Sequence, residues 1–283
     1  MSEQWLCGRF EFSLERPILM GIVNVTPDSF SDGGQHASAE AAIAHAWQLR
    51  GEGAHILDIG GESTRPGAQA VSVQEELARV LPVVEALRDS DVAISVDTCK
   101  PEVMHAALAA GADMINDVTG FRHEQARLVV SRHPTCGICV MHMQGEPKTM
   151  QQAPRYDDVV DDIRAFFDER LRFAANEGIR EEQIWLDPGF GFGKTVDQNL
   201  LLLRRFQEFH SFGRPLLLGV SNKSTLGAVL DADVNDRTEG TAAAVAFAAA
   251  RGVHCVRVHD VRTMTRVVRM CDAITRGRAR NDG

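Results

Sequence analysis

Eight short apolar stretches recur along this chain, and nearly every one ends at a polar or charged residue: Asn24, Asp58, Asp97, Asn116, His142, Asp187, Lys223 and His259. The stretches are Ile18–Val25, His55–Gly60, Ala93–Asp97, Asp113–Val118, Gly137–His142, Ile184–Asp187, Leu216–Val220 and His254–Val258. Most are continuous apolar runs, as expected of parallel strands buried on both faces. Helical patterns lie between them. Strand, helix, strand repeated eight times predicts an α/β fold, a single (β/α)8 TIM barrel, with an open doubly wound sheet as the alternative. A closed barrel gathers the carboxyl ends of all its strands into one mouth, so the polar strand ends become neighbours.

Local punctuation supports the helices. Ser72-x-x-Glu75 is a capping box opening a helix that runs to about Arg88, with Pro82 as an irregularity inside it. Pro101 suits a first helical position and Gly111 the position just past the end of that helix. Asp157 to Glu177 has helical spacing and stops at Gly178, and Thr238 to Arg251 is an alanine-rich helix. Three long connections follow strands one, two and five: Thr26 to Ala37, Gly61 to Val71 and Gln144 to Tyr156. Each is expected at the mouth, where loops carry specificity.

The 283 residues fit one domain, with 1–16 as an N-terminal extension and 276–283 as a solvated tail. No apolar run is long enough to span a bilayer, and the first ten residues lack the apolar core of a leader, which suggests a cytoplasmic setting without a membrane partner. A net charge of −9 argues against a general nucleic-acid surface, so an anionic ligand would need locally placed cations. The six cysteines are expected to be thiols, and Cys136-Gly-Ile-Cys139 runs into an apolar strand and so is expected to be packing instead of a redox pair.

Two near-motifs fail. Asp187-Pro-Gly-Phe-Gly-Phe-Gly-Lys194 has Pro188 where a phosphate loop needs glycine, and its glycines are mis-spaced for a dinucleotide fingerprint. What remains is a flexible glycine-rich turn carrying Phe190 and Phe192, either stacking on a planar substrate or plugging the rim. Asp58, Asp97, Asn116 and Asp187 would converge in the mouth, where clustered carboxylates must bind a cation, accept hydrogen bonds from a ligand or be protonated. Lys223 could offset that charge. Arg257 and His259, on one side of the last strand, are candidates for an anion site, with an ion pair from Arg257 or His259 to Asp260 as the structural alternative.

At this point the sequence resembles the dihydropteroate synthase family of the folate pathway, over roughly residues 17–270. The segments that carry the resemblance are Gly21–Gly34, Asp58–Gly67, Ser95–Thr98, Ile115–Asp117, Met141–Met143, Asp187–Lys194 and Arg257–Asp260. It implies an enzyme that joins p-aminobenzoate to 6-hydroxymethyl-7,8-dihydropterin diphosphate, releasing diphosphate with the help of Mg2+. By the same resemblance, Asp97, Asn116, Asp187 and Lys223 hold the pterin; Asn24, Arg257 and His259 meet the diphosphate; and Asn24 meets the magnesium. Thr64, Pro66, Phe192, Ser221 and Lys223 line the p-aminobenzoate pocket, and Asp97, Asp187, Lys223 and Arg257 are the catalytic set. A homodimer built on the late helices is also implied. One departure stands out: the family usually reads Ser-Arg-Lys-Ser where this chain has Ser221-Asn-Lys-Ser224, so an altered affinity for p-aminobenzoate is expected. Two other readings compete: a pterin-binding methyltransferase working with a corrinoid protein, and a catalytically silent pterin-binding scaffold.

Overall fold

The computed structural model describes residues 4–25, 34–63, 70–146 and 149–277. The chain opens with an antiparallel hairpin, β1 (Gln4–Cys7) and β2 (Phe10–Ser13). Eight parallel strands follow: β3 (Ile18–Asn24), β4 (Ile56–Gly60), β5 (Ala93–Asp97), β6 (Met114–Asp117), β7 (Gly137–Met141), β8 (Ile184–Asp187), β9 (Leu217–Leu218) and β10 (Cys255–Val258). Their order is β8-β7-β6-β5-β4-β3-β10-β9, and a parallel bridge between Leu186 and Leu216 joins the two ends. The barrel reading is therefore correct, and the open sheet is excluded.

The helices between strands are α1 (Gly34–Gly51), α2 (Val73–Leu87), α3 (Pro101–Ala110), α4 (Glu124–Ser131), α5 (Val159–Asn176), α6 (Val196–Arg204), α7 (Ser224–Leu230) and α8 (Thr238–Ala250), with α9 (Val261–Arg276) last. The sequence punctuation mostly acts as expected. Ser72 caps α2 by accepting from Glu75 N–H, but the Glu75 carboxylate pairs with Arg79 one turn on. Pro82 sits inside α2 without ending it. Pro101 starts α3, and Gly111 ends it at φ 113°, a left-handed conformation that costs glycine little. The first long connection is shorter than expected, because α1 already begins at Gly34. Residues 26–33, 64–69, 147–148 and 278–283 of the three loops and the tail lie outside the described residues. Among the described residues, no helix is long and apolar enough to cross a membrane.

Strand period two divides the barrel into layers. Outward residues such as Leu19, Leu57, Ile94, Ile115, Ile138 and Leu218 pack against the helices. Inward residues of the lower barrel, among them Met20, Ile56, Met114, Trp185 and Cys255, form a second apolar cluster with Trp5 and Cys7 of the hairpin. The extension is thus a plug at the amino end of the barrel. Trp5 meets Trp185 edge to face at a centroid distance of 6.2 Å. The hairpin turn is pinned by Asp113, whose carboxylate accepts from Arg9 N–H at 3.0 Å, from Arg9 Nη2 at 2.8 Å and from Ile94 N–H at 3.0 Å. Cys136 and Cys139 are both buried thiols, and burial pushes Cys136 up to about 12, which fits packing and not redox exchange.

The plug leads to a stability prediction. Trp5→Ala should cost about 3–5 kcal/mol in urea denaturation, as large-to-small changes of buried aromatics do, while leaving ligand affinities unchanged in the protein that folds. A loss below about 1 kcal/mol would mean that the hairpin does not close the core.

Candidate active site

Above the apolar layer, the same inward parity places polar residues. Asp58 is in register with Ser95, and Asp97 with Asn116, on neighbouring strands β4, β5 and β6. Asp187 ends β8, and Arg257 stands on β10. Asp58, Asp97, Asn116 and Asp187 are all buried. In water such a set would be solvated; in the barrel each member must find a partner.

Arg257 supplies two of those partnerships. Its Nε donates to Asp58 Oδ2 at 2.6 Å and its Nη2 to Asp97 Oδ2 at 2.8 Å. Asn116 Nδ2 donates to the same Asp58 oxygen at 3.1 Å. The two buried carboxylates hold the Arg257 proton more tightly than usual. Burial pushes the Asp97 carboxyl upward, opposed by Arg257 and reinforced by the like charge of Asp58. Among the described residues, Asp58 Oδ1, Ser95 Oγ and Asn116 Oδ1 are buried without a hydrogen-bond partner, so this side of the barrel retains capacity to accept hydrogen bonds.

On the other side of the mouth, Asp187 Oδ1 accepts from Gly189 N–H at 2.7 Å. Burial raises this carboxyl to about 6, against the pull of that hydrogen bond and of Lys223 and Lys194. The turn that follows is not a loose one. Gly189, Gly191 and Gly193 all have positive φ, and Phe190 is packed in the main core. Phe192 instead joins Val118, Met141, Met143 and Met150 in an apolar cluster, and Lys223 Nζ lies over its ring, 4.0 Å from the centroid. The two phenylalanines thus have different jobs: one is core, the other is part of the mouth.

Other residues singled out in the sequence lie at the ends of neighbouring strands. Ser221 Oγ and His259 Nδ1 lie 2.9 Å apart, linking the ends of β9 and β10. Asn24 Oδ1 and the Asp97 side chain flank the same face of Gly60, both within 4.0 Å of where a Cβ there would stand. Asn222 occupies the left-handed region at φ 56°, which asparagine tolerates better than most residues, and its carbonyl accepts from Arg237 Nη1 at 2.9 Å. Thr64 and Pro66 lie outside the described residues.

Three expectations need correction. The sequence expects separate sets for pterin and diphosphate, but Arg257 pairs with Asp58 and Asp97 and joins them in one group, while the alternative partner Asp260 caps α9 by accepting from Thr263 N–H at 2.9 Å. The glycine turn is tethered, not flexible. His142 leaves the mouth, because one step beyond Met141 reverses its direction; it packs on Phe166 at 5.0 Å and meets Lys194. Sequence reading missed Lys194, discarded with the failed phosphate-loop motif. Its signal was there: a lysine placed between a glycine turn and the Thr195 capping box of α6. Also missed was Lys100, which pairs with both Glu62 and buried Glu76 and so ties the start of the second long connection to α2.

If Arg257 neutralises Asp58, Arg257→Met should cost about 3–5 kcal/mol of folding stability by leaving a buried carboxylate unpaired. The double variant Arg257→Met with Asp58→Asn should recover part of that loss in urea denaturation, the remainder being the partner that Asp97 has lost. Strictly additive losses would mean that the pair is not coupled.

Comparison with known proteins agrees with this geometry. The model of the pterin binding enzyme family matches residues 20–259. Dihydropteroate synthase of Escherichia coli strain K12 is 48% identical over 261 residues, which is 92% of each chain. The solved structure of Xanthomonas albilineans dihydropteroate synthase with 4-aminobenzoic acid matches with a TM-score of 0.91 at 46% identity, over 97% of this chain and 98% of that one. Burkholderia cenocepacia dihydropteroate synthase complexed with 7,8-dihydropteroate matches with a TM-score of 0.87 at 45% identity, over 97% of both chains. A barrel whose mouth is lined by buried acceptors, matched over nearly its whole length, makes this chain a member of the pterin-binding enzyme family.

Proposed function

We infer that the chain catalyses the dihydropteroate synthase reaction, transferring the dihydropterinylmethyl group of 6-hydroxymethyl-7,8-dihydropterin diphosphate to p-aminobenzoate. The observation that carries this reading is the set of buried acceptors Asp97, Asn116 and Asp187 around one mouth, with Lys223 over Phe192 on the Asp187 side. A pterin edge presents an amino group and a ring N–H beside a carbonyl, so carboxylates accept from its donors while Asn116 and Lys223 meet its mixed and acceptor positions. The matched relatives, named dihydropteroate synthases, support this reaction over the methyltransferase and the silent scaffold.

In the reaction, the methylene–oxygen bond breaks with its electron pair leaving on diphosphate. The amine lone pair of p-aminobenzoate forms the new carbon–nitrogen bond, and the amine then releases a proton. Asp97, Asn116 and Asp187 fix the pterin so that its methylene faces the amine. Phe192 and Lys223, with Ser221, form the described part of the p-aminobenzoate pocket. Asn24, Arg257 and His259 lie on the diphosphate side, and Arg257 keeps Asp58 and Asp97 from repelling that anion.

For magnesium, the described residues hold no cluster of three His, Cys, Asp or Glu side chains. The amide oxygen of Asn24, close to Asp97, fits a hard cation that binds through one or two protein oxygens together with substrate phosphates and water. When bound, Mg2+ would neutralise charge on the departing diphosphate.

The surface supports a homodimer through the late helices, where Leu230, Phe247, Met270 and Ile274 are exposed. Sedimentation should give twice the chain mass of 31.0 kDa; a monomer at micromolar concentration would refute it. The six free thiols fit the cytoplasm, which cell fractionation tests.

The reaction is tested in one assay of protein, Mg2+ and pterin diphosphate, with and without p-aminobenzoate, following diphosphate and dihydropteroate together. Both products should appear only with p-aminobenzoate, and chelation of Mg2+ should stop them. Asp187 accepts as a carboxylate, so kcat/KM for the pterin should fall as pH drops through about 6, where that group gains its proton. Absence of dihydropteroate under these conditions would overturn the reading.

A further inference from the structure

Lys194 is buried, with 2% of its surface exposed, and its ammonium is fully engaged. Nζ lies 2.8 Å from the Gly189 carbonyl, 3.0 Å from the Phe192 carbonyl and 3.1 Å from His142 Nδ1. Each contact continues toward the mouth. Gly189, whose carbonyl accepts from Lys194, donates its own N–H to Asp187 Oδ1 at 2.7 Å. The Phe192 carbonyl belongs to the residue whose ring lies beneath Lys223 Nζ. His142 N–H in turn donates to the Asp187 carbonyl at 2.9 Å. With three acceptors around three N–H groups, the ammonium leaves none for a ligand, so it acts through its neighbours.

We propose that Lys194 is a positioning residue that fixes the pterin acceptor Asp187 and the p-aminobenzoate platform Phe192 in one rigid geometry. It does so as a hub inside a turn whose three left-handed glycines leave the backbone little support of its own. Burial lowers the Lys194 ammonium to about 7, opposed by Asp187, as expected of an amine taken out of water, and its three neighbours hold it whichever form it takes. His142, which has no place in the mouth, acquires a role as the third acceptor, and burial beside Lys194 keeps it neutral.

The proposal rests on the roles given above to Asp187 and Phe192, and binding measurements separate it from the reaction itself. Titration calorimetry with a dihydropterin and with p-aminobenzoate, each alone and together, would compare wild type with Lys194→Met and Lys194→Gln. Both dissociation constants should rise in Lys194→Met by fivefold or more, with a smaller rise for Lys194→Gln, which keeps two N–H donors. Trp5→Ala, which loses stability far from the mouth, should leave both constants at wild-type values. Either constant remaining within twofold of wild type in folded Lys194→Met would overturn the proposal, as would parallel changes in Trp5→Ala. Should Lys194→Met fail to fold, Lys194→Gln decides by the same twofold criterion. Wild-type protein that made no dihydropteroate would refute the reaction, while the binding comparison would still decide the role of Lys194.

Discussion

Charge buried in a barrel must be paired, and the interior of this one is arranged around that requirement. Asp58, Asp97, Asp187 and Lys194 are buried, half-buried Arg257 pairs with the first two, and Lys223 stands over Phe192 at the edge of the same space. Arg257 pairs with two carboxylates from different strands at once. Its planar guanidinium can hold them at fixed angles where a lysine could only approach them as a point charge. Because both carboxylates are held before any ligand arrives, the acceptors of the mouth need little reorganisation on binding.

This arrangement is possible because strand parity separates apolar from ionic layers. On β4, Ile56 packs in the lower barrel and Asp58, two residues later, reaches Arg257. On β10, Cys255 and Arg257 repeat the step. A one-residue slip of either strand would turn its charge toward the helices and its outward Leu57 or Val256 into the mouth. The plug formed by Trp5 and Cys7 closes the lower layer, so the ionic layer is supported from below by packed side chains.

Much of the fold could be read from the chain, since continuous apolar strands and helix caps are local signals. Ser72, Pro101 and Gly111 act where their backbone preferences place them. The hairpin was not legible as a plug, because its short strands carry meaning only against Trp185 and Met114, far away in sequence. In the site, residue types indicated which side chains gather, but not how they pair. Nothing local to Arg257 distinguishes Asp260, three positions away, from Asp58 and Asp97, which only barrel closure brings to it. His142 lies one step past Met141 and so turns away from the mouth, while the role of Lys194 depends on a glycine turn whose path is not written in its local sequence.

The glycine turn after β8 limits how this protein can change. A side chain at position 189 would stand 1.8 Å from the His142 carbonyl oxygen, and one at 193 would stand 2.5 Å from that of Gln144. Both obstacles are main chain, which no rotamer change can move. A variant selected to evade a competitor of the natural ligands therefore finds these positions closed to it, and adaptation must come from side chains around the turn.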